Sequence, residues 1–161
     1  VGAQLAFAIQ NNDMFAYERD LESMSRRYKD YVMLYLLSVI VRRFEQGETP
    51  QTAQEMAIQN RLPIRLVQQL LSRLEETNII RRVYVEQEED ETFVPALDTR
   101  KITVDMVVGR ISAQGTEEFL QHTPPQMHAF WKRYLQMCEA NTSDNILVSD
   151  LWVNEVSRHA C

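Results

Sequence analysis

Arg61, Arg65, Gln69 and Arg73 recur every four positions through one amphipathic stretch, with Gln68 three beyond Arg65. On a helix that spacing places them along one side. Their chemistry suits the edges of base pairs, since arginine forks onto guanine and glutamine onto adenine. Ser72 stands among them. A solvated helix face has much the same composition, so the stretch points in two directions.

The next stretch of chain weighs against nucleic acid. Five of the six residues from Glu86 to Glu91 are acidic, Gln87 being the exception. A carboxylate about 4 Å from a phosphate is repelled by roughly 1 kcal/mol even in water. The chain carries a formal net charge of −6. Phosphate-gripping domains normally show a basic footprint instead.

Other chemistry finds little support. His122, His128 and His159 share no metal-ligand spacing, and Cys138 and Cys161 lie too far apart for a zinc knuckle or a CxxC redox motif. There is no HExxH or GxSxG, and four glycines leave no room for a phosphate-cradling loop. Nothing calls for catalysis, a cofactor, a metal or a small-molecule ligand. Phe130, Trp131, Lys132, Arg133 and Tyr134 mix rings with cations. The rings share one helical face and the cations point elsewhere, so a core or a partner groove is expected there rather than single-stranded nucleic acid.

These residues need elements to position them. An apolar helix from Ser25 or Asp30 to Gln46 has Tyr31, Leu34, Tyr35, Leu37, Ile40, Val41 and Phe44 almost all round it, and Gly47 closes it. Its run from Tyr31 to Val41 is far short of the roughly 20 apolar residues a membrane span needs. Thr52 to Glu55 forms a capping box that opens a second helix, and Asn60 to Pro63 makes the turn. A third helix, Pro63 to Glu76, buries Ile64, Val67, Leu70, Leu71 and Leu74. Ile79 to Val85 reads as a strand, Glu86 to Glu91 as a turn, and Thr92 to Ala96 as the return strand, at an edge because of Pro95.

The fold predicted is mainly α: a winged helix-turn-helix with a small β-hairpin wing, an N-terminal arm and a C-terminal helical extension. The expected divisions are a juxtamembrane arm 1–28, the winged helix 29–114 and the extension 115–161. Thr103 caps a further helix to about Ser112, with Val104, Val107, Val108 and Ile111 inward. Thr123-Pro124-Pro125 starts an amphipathic helix with Met127, Phe130, Trp131, Tyr134, Leu135 and Cys138 on one face. The segment 146–156 reads equally as helix or extended chain. Tyr31, Tyr35, Phe130, Trp131, Tyr134 and Trp152 are candidate partner-facing residues.

Several stretches, in order, resemble the YihY/BrkB family of bacterial inner-membrane proteins, long labelled ribonuclease BN-like. They are Gly2–Ala8, Ser25–Asp30, Arg43–Glu48, Leu62–Val67, Pro95–Val104 and Asp144–Leu151. The resemblance implies the soluble C-terminal part of a membrane protein whose spans precede Val1, on the cytoplasmic side of the inner membrane. Its partners would be that membrane part and a second copy or another protein, with nucleic acid disfavoured. The ribonuclease label finds no matching catalytic residue. Pro95–Val104 also resembles the end of the winged helix in Rrf2-type transcription regulators. Those often carry a cysteine cluster for an iron–sulfur centre just beyond it, whereas here no cysteine occurs before Cys138. The expected role is therefore a non-catalytic interaction or self-association module, with a DNA-binding regulator using the 63–76 helix as the alternative and a tRNA-processing ribonuclease weaker still.

Overall fold

The computed structural model describes residues 23–85, 90–117, 124–140 and 145–152. The expected arm before residue 23, four residues of the acidic turn and the chain after Trp152 lie outside the described residues, as do His122, His159 and Cys161. The elements run α1 (Arg26–Glu45), α2 (Ala53–Asn60), α3 (Ile64–Glu76), β1 (Ile80–Val83), β2 (Thr92–Pro95), a 3-10 turn (Thr99–Lys101), α4 (Val104–Ser112), α5 (Pro125–Ala140) and a second 3-10 turn (Val148–Trp152). The mainly helical winged helix-turn-helix expected from the sequence is the fold observed.

Side-chain oxygens start three of the helices. The hydroxyls of Ser25, Thr52 and Thr103 accept from the backbone N–H groups of Tyr28, Glu55 and Met106. At α2 the Glu55 carboxylate also accepts from the Thr52 N–H at 2.9 Å, completing the capping box.

Three helices end in one device. After α1, Glu48 N–H donates to the Arg43 carbonyl and Gly47 N–H to that of Phe44. After α2 the same pair of bonds runs from Leu62 to Ala57 and from Arg61 to Ile58. After α3 it runs from Ile79 to Leu74 and from Asn78 to Glu75. This closure needs a left-handed residue. Gly47, Arg61 and Asn78 fill it at φ 68°, 52° and 55°.

The core lies where α1, α3, the hairpin and α4 meet. α1 buries Val32, Met33, Leu36, Leu37, Ile40 and Val41; α3 buries Leu66, Val67, Leu70, Leu71 and Leu74. Each such side chain contributes roughly 1.5–3 kcal/mol of transfer free energy. Ile79, Ile80, Phe93, Ile102, Val107, Ile111 and Val148 complete the cluster. α1 is less uniformly buried than expected, because Tyr31 is 63% exposed and Phe44 54%.

The hairpin is antiparallel, with Ile80 opposite Pro95 and Val83 opposite Thr92. β1 is shorter than the 79–85 strand expected, since Asn78 and Ile79 are used to close α3. On the far edge of β2, Phe93 N–H donates to the Gln51 carbonyl. Of the segment 146–156, ambiguous in the sequence, the described part to Trp152 adds a bridge between Leu147 and Thr103 and then the Val148–Trp152 turn against α1; 153–156 lie outside the described residues.

Candidate nucleic-acid interface

The two short helices and the wing arrange most of the expected polar face side by side. On α3, Arg65, Gln68 and Gln69 are exposed, and Ser72 and Arg73 are half-buried. The opposite side of the same helix is anchored by its five buried apolar residues. Burial therefore fixes which way the polar side points. The Thr77 hydroxyl donates back to the Arg73 carbonyl at 2.9 Å, and Arg110 reaches the Thr77 carbonyl at 3.3 Å. These bonds steady the C-terminal end of α3 on the core.

Arg61 sits in the turn between α2 and α3, exposed. Its left-handed backbone costs an L-residue about 1–2 kcal/mol, and glycine is the usual occupant. A long cationic side chain is thus held, against conformational preference, beside the N-terminal end of α3.

Between α3 and the wing runs an open groove of about 720 Å³. Gln54, Ile64, Gln68 and Ser72 line the helical side; Arg82, Tyr84, Asp90 and Glu91 line the wing side. From the sequence, Arg81 and Arg82 are expected to sit too far down the strand to offset the wing acids, and Tyr84 and Gln54 carry no site role; Arg82 instead pairs with Glu91. The available signal was β1 itself, where Arg81 and Arg82 are both exposed between apolar neighbours.

The wing does not present all its carboxylates to solvent alike. Arg82 Nε donates to Glu75 at 2.7 Å and its Nη1 to Glu91 at 2.6 Å. Tyr84 Oη donates to the other Glu91 oxygen at 2.9 Å. The hydrogen bond to Glu75 leads in holding the Arg82 guanidinium more firmly protonated than usual, and that to Glu91 pushes the Tyr84 phenol above its ordinary pKa. Asp90 is exposed.

The partner-facing candidates divide into three places. Tyr31 meets Tyr28 in a tilted contact with centroids 5.9 Å apart, on the outside of α1. Tyr35 and Trp152 meet each other at 5.8 Å, and the Arg42 guanidinium lies 4.9 Å from the Trp152 ring. On α5, Trp131 stacks on Tyr134 at 5.5 Å and Phe130 lies 6.5 Å from Tyr134. All three α5 rings are exposed. Among the described residues no group of three or more His, Cys, Asp or Glu side chains comes together.

No protein-family profile and no curated protein matches the chain. Solved structures do. The global cysteine regulator CymR of B. subtilis aligns at TM-score 0.53 and 19% identity, over 80% of this chain and 94% of that one. IscR of T. potens aligns at 0.52 and 19%, over 80% and 84%. CymR of Staphylococcus aureus aligns at 0.52 and 17%, over 79% and 97%.

These neighbours correct several expectations. Two are named as regulators, the cysteine regulator CymR and a putative transcriptional regulator from Listeria innocua (TM-score 0.52, 17% identity), and nothing among them points to a YihY/BrkB membrane protein. The inner-membrane location, the upstream membrane partner and the ribonuclease BN-like label fall with that resemblance. The stretch that suggested attachment, Gly2–Ala8, lies outside the described residues; α1 is folded into the winged-helix core as a core helix, and no described helix is long and apolar enough to cross a membrane. The expectation that nucleic acid is disfavoured is overturned too. It treated the wing acids as free charges, whereas Glu91 is paired with Arg82. At this level of identity the comparisons establish the winged-helix fold and no more.

Proposed function

We propose that the protein is a DNA-binding transcription regulator. α3 lies in the major groove, Arg61 and Arg65 approach the backbone and bases at its N-terminal end, and Gln68, Gln69 and Arg73 face base edges. The wing runs along the adjacent backbone. The observation that carries this reading is the polar face of α3, held outward by five buried residues and flanked by Arg61 in a conformation that glycine would fill more easily. The net charge of −6 does not oppose it, because a local cationic face is enough to dock a duplex.

Two copies would act together. α5 exposes an aromatic stripe, and its described side chains are all exposed. A second α5 packed on that stripe gives a two-fold pair, and such a pair presents two α3 helices to successive half-sites.

Fluorescence anisotropy with a pool of mixed duplexes tests the reading. Binding is expected at low salt, weakening steeply as salt rises. The double variant Arg65→Ala/Arg73→Ala should lose it. A flat titration of the wild-type chain at low salt would end the proposal.

A further inference from the structure

Arg82 is a groove-lining cation that the proposed contacts of α3 with DNA leave unused. We infer, resting on the DNA-binding reading, that Arg82 is a phosphate-binding residue of the wing and that Glu91 is its exchangeable counter-ion. On a duplex, a backbone phosphate oxygen takes the place of the Glu91 carboxylate. Glu75 keeps its bond to Nε and keeps the guanidinium aimed.

Position supports this first. Arg82 lines the same groove as Gln68 and Ser72 of α3, so one strand of a duplex seated on α3 passes the guanidinium. Geometry supports it next. Nε and Nη1 engage separate carboxylates, at 2.7 and 2.6 Å, so one can leave while the other still orients the side chain. Arginine presents a planar fork of donors that suits phosphate as well as carboxylate.

Anchoring decides which carboxylate leaves. Glu75 belongs to the well-anchored α3, whereas Glu91 precedes β2 at the margin of the wing turn. The Arg82 and Glu91 side chains are 40% and 38% exposed. Ion pairs this open add little net stability, so exchanging one is cheap. The acidic wing then does more than repel. Glu91 holds Arg82 and Tyr84 in place while the site is empty, and a phosphate must out-compete it, which disfavours weak anions.

Four variants of the full chain test this on one duplex across a salt series: Arg82→Gln, Glu91→Gln, Arg82→Gln/Glu91→Gln and Asp90→Asn. Arg82→Gln is expected to weaken binding and to flatten the log Kd against log salt slope by about one phosphate contact. Glu91→Gln is expected to bind roughly fivefold tighter, the scale of one close charge in water. That gain should shrink in the Arg82→Gln background and should exceed the gain from Asp90→Asn, which removes a neighbouring carboxylate outside the pair. Equal gains for Glu91→Gln and Asp90→Asn, or an unchanged gain without Arg82, would mean simple repulsion and overturn the inference. Binding that ignores Arg82 overturns the inference alone. No binding by any of these proteins at low salt overturns the DNA-binding reading and the inference with it.

Discussion

The indole Nε1–H of Trp152 donates to the hydroxyl oxygen of Ser38 at 3.0 Å, joining positions 114 apart in the chain. Ser38 is buried, and its own hydroxyl proton goes to the Tyr35 carbonyl at 2.6 Å. The Trp152 ring rests on Tyr35 and under the Arg42 guanidinium. The C-terminal turn is thereby clasped to the middle of α1.

Removing that clasp should be graded. Trp152→Phe keeps the ring contacts and loses the hydrogen bond, costing about 1 kcal/mol. Trp152→Ala loses the ring as well and should cost about 2 kcal/mol, below the range for a fully buried aromatic because 40% of this residue is exposed. Urea midpoints at constant slope would show both. Equal midpoints for the wild type and Trp152→Ala would mean that the turn is not docked on α1 in solution.

Arg61 sets stability against binding. Glycine at that position removes the strain of φ 52° and adds freedom to the unfolded chain. The first effect is larger, so Arg61→Gly should stabilise by about 0.5–1 kcal/mol. For a domain of this size that raises Tm by a few degrees. DNA affinity should fall in the same variant, about tenfold for one lost contact. A lower Tm together with unchanged DNA binding would contradict both the strain and the contact assigned to Arg61.

The parts of this fold set by local rules were readable from the chain. Ser or Thr before an apolar period, the Thr52–Glu55 box and Gly47 after α1 each act within a few residues, and each is observed. Leu66 escaped the predicted stripe of α3 because a stripe counted from Ile64 leaves it off the line, yet it is buried at the margin of the face. The segment 146–152 was undecidable because its partners, Ile102, Thr103 and Ser38, are distant in sequence. The site was half legible. The polar side of α3 comes from its period, but counting charges along 86–91 could not reveal that Glu91 turns back onto Arg82. Arg82 was invisible as a groove residue until the hairpin register placed it beside α3.

Acid should release one local device at a predictable pH. Asp98 caps the Thr99–Lys101 turn: its Oδ2 accepts from Arg100 Nη2 at 2.7 Å, and its Oδ1 from the Arg100 backbone N–H at 3.0 Å. The Arg100 side-chain hydrogen bond leads in lowering its pKa from 3.8 to about 2. A carboxyl depressed on folding contributes stability that is fully present above its unfolded pKa and lost as pH falls through the folded one. The window therefore runs from 3.8 down to about 2. The stability difference between the wild type and Asp98→Asn, from urea melts, should be constant above that window and shrink within it. A difference that persists unchanged through the window would show that the Arg100 contact is not formed in solution.

The α5 stripe governs assembly. A 16-residue helix with its described side chains exposed has little packing to hold it, and in proteins most helical stability comes from packing an amphipathic face. Trp131 and Tyr134 stack with their ring planes 18° apart and, with Phe130, form an exposed aromatic patch. A second copy of the patch is a surface of matching chemistry. Trp131→Glu/Tyr134→Glu places carboxylates in the middle of the paired face and should convert a dimer to a monomer in sedimentation velocity. It should weaken binding to a duplex with two half-sites much more than to one with a single half-site, because α3 itself is untouched. A wild-type chain that sediments as a monomer at high concentration would sink the pairing and leave the single-copy α3 contact standing.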